Sequence, residues 1–242
     1  MALFYIIALL LKNNSVVDIG WGLGFITLIS ILHIFFPVLY IRKILITFLI
    51  VLWGFRLAAF VFARNIGKTE DSNYARFREK WGKRFFLFLF FKVFILYGLI
   101  MLIMAYPIIL VFNSDPSVLT IYDIIGVMLF IFGFLFESIS DYQLAKFKSK
   151  PENNGKLMIN GLWKYSRHPN YFGEVVLWWG LFFIALSSNY GWTGIISPLL
   201  ITIILTCIYG IPSLEKKFKG REDWEAYKAK TPKFFPSFMI RN

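Results

Sequence analysis

Long apolar runs separated by short polar breaks organise the chain, at 16–36, 44–63, 85–112, 119–145, 171–187 and 192–211. Roughly 20 consecutive apolar residues cross a bilayer as a helix. Pro37, Asn113 with Pro116, Ser188 to Gly191, and Pro212 fall at or near the run ends, where helix breakers belong. With the short apolar stretch Met1 to Leu11, the runs predict an all-α fold, a polytopic transmembrane bundle of about seven helices. Met1 to Leu11 has no basic segment before it and no small-residue cleavage pattern after it, so it reads as a short first helix or the remainder of a longer one, not as a signal peptide. No internal repeat or soluble-domain linker interrupts the pattern.

Composition agrees. Of 242 residues, 58% are hydrophobic and 20% aromatic, with a mean hydropathy of +0.64, more than a water-soluble core requires. The net charge of +12 raises nucleic acid as a partner, but its distribution answers the question. If successive spans alternate direction, Arg42 and Lys43 stand alone on one side, Arg56 and Lys92 lie within spans, and every other Lys and Arg falls on the opposite side. The positive-inside rule places that side, and the C-terminus, in the cytoplasm, and with seven helices the N-terminus outside. Nucleic acid is then unnecessary; membrane lipid is the expected partner, in a bacterial plasma membrane or an endoplasmic reticulum. The single cysteine, Cys207, excludes an intrachain disulfide. No Asp, Glu or His cluster has metal-ligand spacing, and no metal is expected.

Two segments carry candidate chemistry. In Gly161-Leu-Trp-Lys-Tyr-Ser-Arg-His-Pro-Asn-Tyr-Phe-Gly-Glu174, Asn170 and Glu174 are spaced i, i+4 and share a helical face. Glu174 lies inside an apolar run, where a carboxylate is expensive unless paired, hydrogen-bonded or lining a wet cavity; the bland reading is a helix–helix hydrogen bond. Upstream, Glu137 and Asp141 repeat the i, i+4 spacing ahead of Lys146, Lys148 and Lys150. Carboxylates and amides suit ribose hydroxyls and a carboxamide, and the lysines suit phosphate, against the plain alternative of snorkelling at the membrane surface. His33, among Ile and Phe residues, reads as a hydrogen-bonding residue of the bundle. The basic segments Glu215 to Arg221 and Trp224 to Lys230 read either as an anchor on anionic lipid or as a lid over phosphates.

Asp141-Tyr-Gln-Leu144, Gly161-Leu162 through Tyr165, and Asn170-Tyr-Phe-Gly-Glu174 resemble, in order and spacing, the NADPH-binding half of the steroid 5α-reductases. Ser166-Arg-His-Pro-Asn-Tyr-Phe-Gly-Glu174 is similar to the hallmark string of the bacterial-type branch of that superfamily. The resemblance runs from about Phe134 to the C-terminus. It implies about seven transmembrane helices and NADPH-dependent reduction of a carbon–carbon double bond conjugated to a carbonyl, in an apolar steroid-like or isoprenoid-like substrate. It assigns Asp141, Asn170 and Glu174 to the nicotinamide and ribose part of the cofactor, Lys148 to phosphate, and Tyr165, Glu137, Arg167 and His168 to the same pocket. Glu137 stands where the reductases usually have asparagine, and Glu215 and Lys216 where they carry an Arg and His cluster. Residues 1–242 are then expected to form one membrane domain, 1–112 its substrate side and 113–242 its cofactor-binding half.

Arg-His-Pro is shared with the isoprenylcysteine carboxyl methyltransferases, which use S-adenosylmethionine, so methyl transfer is the rival reading, with a non-catalytic lipid-binding protein as a second. The Asn170 and Glu174 pairing favours reduction. An enone needs its carbonyl oxygen hydrogen-bonded or protonated as hydride arrives at the β-carbon. Asp18 and Tyr74 are the catalytic candidates for that task in the N-terminal half, whereas Glu70 and Asp71 read as charge balance in a basic loop.

Overall fold

The computed structural model describes residues 16–65, 82, 90–114 and 118–238, with backbone alone for 16–18 and 92–94. Among the described residues every regular element is helical. The chain clusters into two compact units, Met1–Val118 and Leu119–Asn242.

In the first unit, α1 (Val16–Phe35) and α2 (Ile41–Asn65) form an antiparallel hairpin about the Pro37 turn. Phe25 meets Trp53 edge to face at 5.5 Å, and His33 Nε2 hydrogen-bonds Thr47 Oγ1 at 2.9 Å. The run 85–112 was expected to be one span. Its described part is instead a π-helical turn, Phe90–Ile95, followed by α3 (Leu96–Met104) and α4 (Tyr106–Phe112), with a break at Ala105. Pro107 accounts for the break, because it has no N–H to donate to the preceding turn. Ile46, Ile50, Met104 and Ile108 are fully buried in this unit.

The second unit is built on α5 (Ile121–Lys148) and α6 (Pro169–Ala185), another antiparallel pair. Pro169 opens α6 at a position where its missing N–H costs nothing. The last apolar run is composite, comprising a 3-10 turn, Gly191–Ile195, α7 (Ile196–Ile203), a π-helical turn, Ile204–Ile208, and α8 (Gly210–Lys216). The i to i−5 bond from Tyr209 N to Ile204 O, 2.9 Å, closes the π turn just ahead of Pro212. A short helix, α9 (Glu222–Lys230), and an extended tail follow.

The exterior differs from that of a water-soluble protein. On α5, Asp123, Glu137, Ser140 and Asp141 are buried while Met128, Phe132, Leu135 and Ile139 are exposed; on α2, Phe48, Phe55 and Phe62 point outward. An apolar exterior, with the polar groups of the helices turned into an otherwise apolar interior, is what lipid as solvent selects. Three helical stretches among the described residues are long and apolar enough to cross a membrane: Ile41–Asn65, Ile121–Lys148 and Gly191–Lys216. That is fewer than the expected seven or so. Met1 to Leu11 lies outside the described residues, the 85–112 run is segmented, and α6 has 17 residues with Asn170 and Glu174 in its first turns.

Candidate functional site

Four glycines bring α5 and α6 together. Gly126 and Gly133 on α5 and Gly173 and Gly180 on α6 are each spaced by a heptad, and they pair across the antiparallel interface. A Cβ at Gly133 would lie 2.5 Å from Gly173 O, and one at Gly173 would lie 2.5 Å from Glu137 N; Gly126 and Gly180 repeat this at 2.6 Å from each other's carbonyl oxygen. Only hydrogen fits, so the two backbones run in contact, as small residues permit in membrane helices.

That close approach joins the polar groups at both ends of the pair. At one end Asp123 Oδ2 accepts from Thr120 N at 2.7 Å and from Ser187 Oγ at 3.2 Å, so the N-terminus of α5 is capped and held to the chain just after α6. At the other end Asn170 Nδ2 donates to Asp141 Oδ1 at 3.2 Å. Glu137, 3% exposed, is one turn from Asp141, and the half-buried Glu174 is one turn from Asn170. Two i, i+4 pairs identified by spacing therefore lie on facing helices, with Asp141 and Asn170 in direct contact.

The connection between α5 and α6 is fixed from both sides. Leu162 N donates to Gln143 Oε1 at 3.0 Å and Trp163 Nε1 to Ser140 O at 3.1 Å, which seat the loop on α5. From the other side come α8, α9 and the tail. Arg167 donates through Nε to Glu215 Oε1 at 2.9 Å and through Nη1 to Thr231 O at 2.8 Å and Lys228 O at 3.2 Å, with its guanidinium 5.6 Å from the Trp224 ring centroid. Arg167 N donates to Pro232 O and Ser166 Oγ to Phe234 O. The Tyr227 hydroxyl donates to Trp163 O, and burial pushes its pKa up.

His168 caps this arrangement. Its Nε2 is 3.2 Å from the Glu215 oxygen that Arg167 also uses, and its ring stacks on Tyr171 at 5.8 Å. Burial holds the imidazole down at about 4, outweighing the hydrogen bond and charge of Glu215, which pull it up; Arg167 and Lys233 add to the lowering. The ring is thus neutral at pH 7. A carboxylate only accepts, so the proton sits on Nε2.

Of the residues singled out by sequence, Asp141 and Asn170 meet, with Glu137 and Glu174 beside them. Lys148 is exposed in the last turn of α5. Tyr165 is half-buried, its ring 4.9 Å from that of Phe238 and its carbonyl accepting from Ser237 N at 3.0 Å. Arg167 and His168 spend their side-chain bonds on Glu215 and the tail. Asp18 lies in the first turn of α1, described by backbone alone, and Tyr74 lies outside the described residues. Glu215 stood out in the sequence only as a departure from the reductases, and the structure makes it the shared acceptor of Arg167 and His168. The paired glycine heptads were present in the sequence and unread. Among the described residues no group of three or more His, Cys, Asp or Glu is arranged to hold a metal ion.

Residues 4–231 match the model of a family described as "Protein of unknown function (DUF1295)". Over 79 residues the chain is 38% identical to the 3-oxo-5-alpha-steroid 4-dehydrogenase 1 of Bos taurus. That stretch is 33% of this chain and 28% of the bovine protein. No solved structure matches.

Proposed function

Because the chain belongs to the DUF1295 family, within the steroid 5α-reductase superfamily, we propose that it is a membrane reductase using NADPH to saturate a conjugated carbon–carbon double bond in an apolar steroid-like or isoprenoid-like substrate. The observation that carries this reading is the part-buried contact of Asp141 with Asn170, flanked by the buried Glu137 and the half-buried Glu174, between two apolar helices. Buried polar clusters of this kind in a membrane protein mark functional sites. The donor set fits the cofactor. Carboxylates accept from ribose hydroxyls and a carboxamide NH2, Asn170 both donates and accepts, and Lys148 at the helix end offers a cation to phosphate.

In this reading Asp141, Asn170, Glu137 and Glu174 bind and orient the nicotinamide ribose, and Tyr165 lines the same pocket. Arg167 and His168 act one step removed, by locking the loop and tail beside Asn170. When bound, the cofactor supplies the hydride for the β-carbon of the enone. Negative charge develops on the carbonyl oxygen as that carbon is reduced; Tyr74, or Asp18 in its protonated form, is the proposed donor of the hydrogen bond that stabilises it, and a proton taken up from water at the α-carbon completes the saturation. Residues 1–112 would supply the substrate side and 113–242 the cofactor side of one membrane domain. The basic loops and C-terminus would face the cytoplasm, where the cofactor resides, and the substrate would arrive from the lipid.

The test is cofactor binding to the detergent-purified chain, titrating NADPH and S-adenosylmethionine separately, with Glu174→Ala as comparison. Saturable NADPH binding that the substitution abolishes is the expected result. Binding of S-adenosylmethionine in its place would move the protein to methyl transfer, and binding of neither, with lipid retained, would make it a non-catalytic lipid-binding protein.

A further inference from the structure

The α1–α2 turn carries a second polar feature, unrelated to the reductase reading. Lys43 is 4% exposed. Among the described residues its ammonium makes one hydrogen bond, to Val38 O at 3.1 Å, and an ammonium has three N–H donors. Around it stand three aromatic rings, with Tyr40 at 5.0 Å and Phe36 and Phe112 each at 5.8 Å from Nζ to centroid. Cation–π attraction offsets part of the cost of removing the charge from water, but it supplies no negative charge.

Lys43 lies in the wall of an open cavity of ≈ 290 Å³ whose other lining residues are apolar or aromatic apart from Asn113 and Ser114. Among the described residues that line it, none is a carboxylate. Ile34, Phe35, Val38 and Leu39 around the turn are all more than half exposed, so the mouth of the cavity is apolar. A buried cation with donors to spare, inside a pocket with a greasy rim at the turn of the apolar α1–α2 hairpin, has the complement of an anionic amphiphile.

We propose that this pocket binds one anionic membrane lipid, its phosphate against the Lys43 ammonium and its acyl chains along the exposed apolar residues of the turn. The aromatic rings stand around the ammonium and hold it in place, so that it meets the headgroup without a conformational search, and Asn113 adds an amide to the lining. This end of the α1–α2 hairpin is the one opposite Arg64 in the last turn of α2, so a lipid held here would be separate from lipids attracted to that end.

The experiment counts phosphatidylglycerol molecules retained by the full chain, by native mass spectrometry after exchange into micelles containing equal phosphatidylglycerol and phosphatidylcholine. Wild type and Lys43→Arg are expected to keep one phosphatidylglycerol more than Lys43→Met. Val38→Trp, which fills the cavity from an exposed position and leaves the ammonium in place, is expected to match Lys43→Met even if that variant folds poorly. Equal retention by wild type and Val38→Trp overturns the proposal. Loss of the extra lipid to millimolar inorganic phosphate would mean a free-anion site and would overturn the amphiphile, while resistance to phosphate supports it.

Discussion

Asn170 Nδ2 donates to Asp141 Oδ1 at 3.2 Å, across the interface of two antiparallel apolar helices and 29 positions apart in the chain. Asparagine can hold a carboxylate and still offer a carbonyl oxygen and a second N–H to a ligand. Replacing Asn170 by Ala is expected to weaken NADPH binding by about ten- to a hundred-fold, the equivalent of a hydrogen bond to a charged group, about 1.5–3 kcal/mol. Titration of wild type and variant at equal salt checks it. Unchanged affinity would remove Asn170 from the site.

The glycine pairs set how closely those two groups approach. A Cβ at Gly133 would meet Gly173 O and Leu177 N at 2.5 Å, both of them backbone atoms with no rotamer to yield. Gly133→Ala and Gly173→Ala are therefore expected to lose at least the about 1–3 kcal/mol typical of overpacking, seen as a lower thermal midpoint in detergent. At Gly155, whose positive φ of 75° asparagine tolerates and where nothing lies within 4 Å, substitution by Asn should leave the midpoint where it is.

Arg167 ties the loop to α8, α9 and the tail through Glu215 and the carbonyls of Lys228 and Thr231. Arg167→Ala leaves those acceptors without their donor, and breaking a largely buried ion pair costs about 3 kcal/mol or more. The expected sign is faster cleavage by trypsin after Lys228 and Lys230, with α5 and α6 still protected. Arg167→Lys, with no fork to reach three acceptors, is expected to restore only part of the protection. Cleavage no faster than in wild type would mean that the tail is held by other contacts.

Acid should loosen the same clamp through His168. Its imidazole titrates at about 4 when folded against 6.5 for an unperturbed histidine, chiefly because it is buried. Between those values the unfolded chain binds the extra proton and the folded chain does not, so stability falls as pH falls from about 6.5 toward 4 and changes no further below that. A shift of this size corresponds to about 3 kcal/mol. Thermal midpoints of wild type and His168→Gln at pH 7 and pH 5 isolate the contribution. Wild type is expected to lose more on acidification than the variant, and parallel loss would show that His168 is not the group responsible.

Much of this was legible in one dimension. Hydrophobic run length predicted α1, α2, α5 and α6 to within a few residues, because a helix in lipid must satisfy its own backbone and so needs a continuous apolar stretch. Where the reading failed, at the run 85–112, local chemistry intervened, because Pro107 cuts that run. The last run is composite around its π turn yet still long and apolar enough to cross a membrane. The i, i+4 spacing put Glu137 with Asp141 and Asn170 with Glu174, since a single helix sets which of its residues share a face.

The sequence by itself therefore determined the solvent, the helices and the polar residues on each helical face, all of which follow from local periodicity and transfer free energy. Which faces meet was decided only in three dimensions. Asp141 reaches Asn170 because paired glycines let α5 and α6 touch, Glu215 serves both Arg167 and His168 because the tail folds back under the loop, and Lys43 enters an aromatic cage because α4 supplies Phe112 to the α1–α2 turn. Each of these joins residues distant in the chain. Such contacts depend on how backbones pack, and no one-dimensional pattern of residue types encodes that distance.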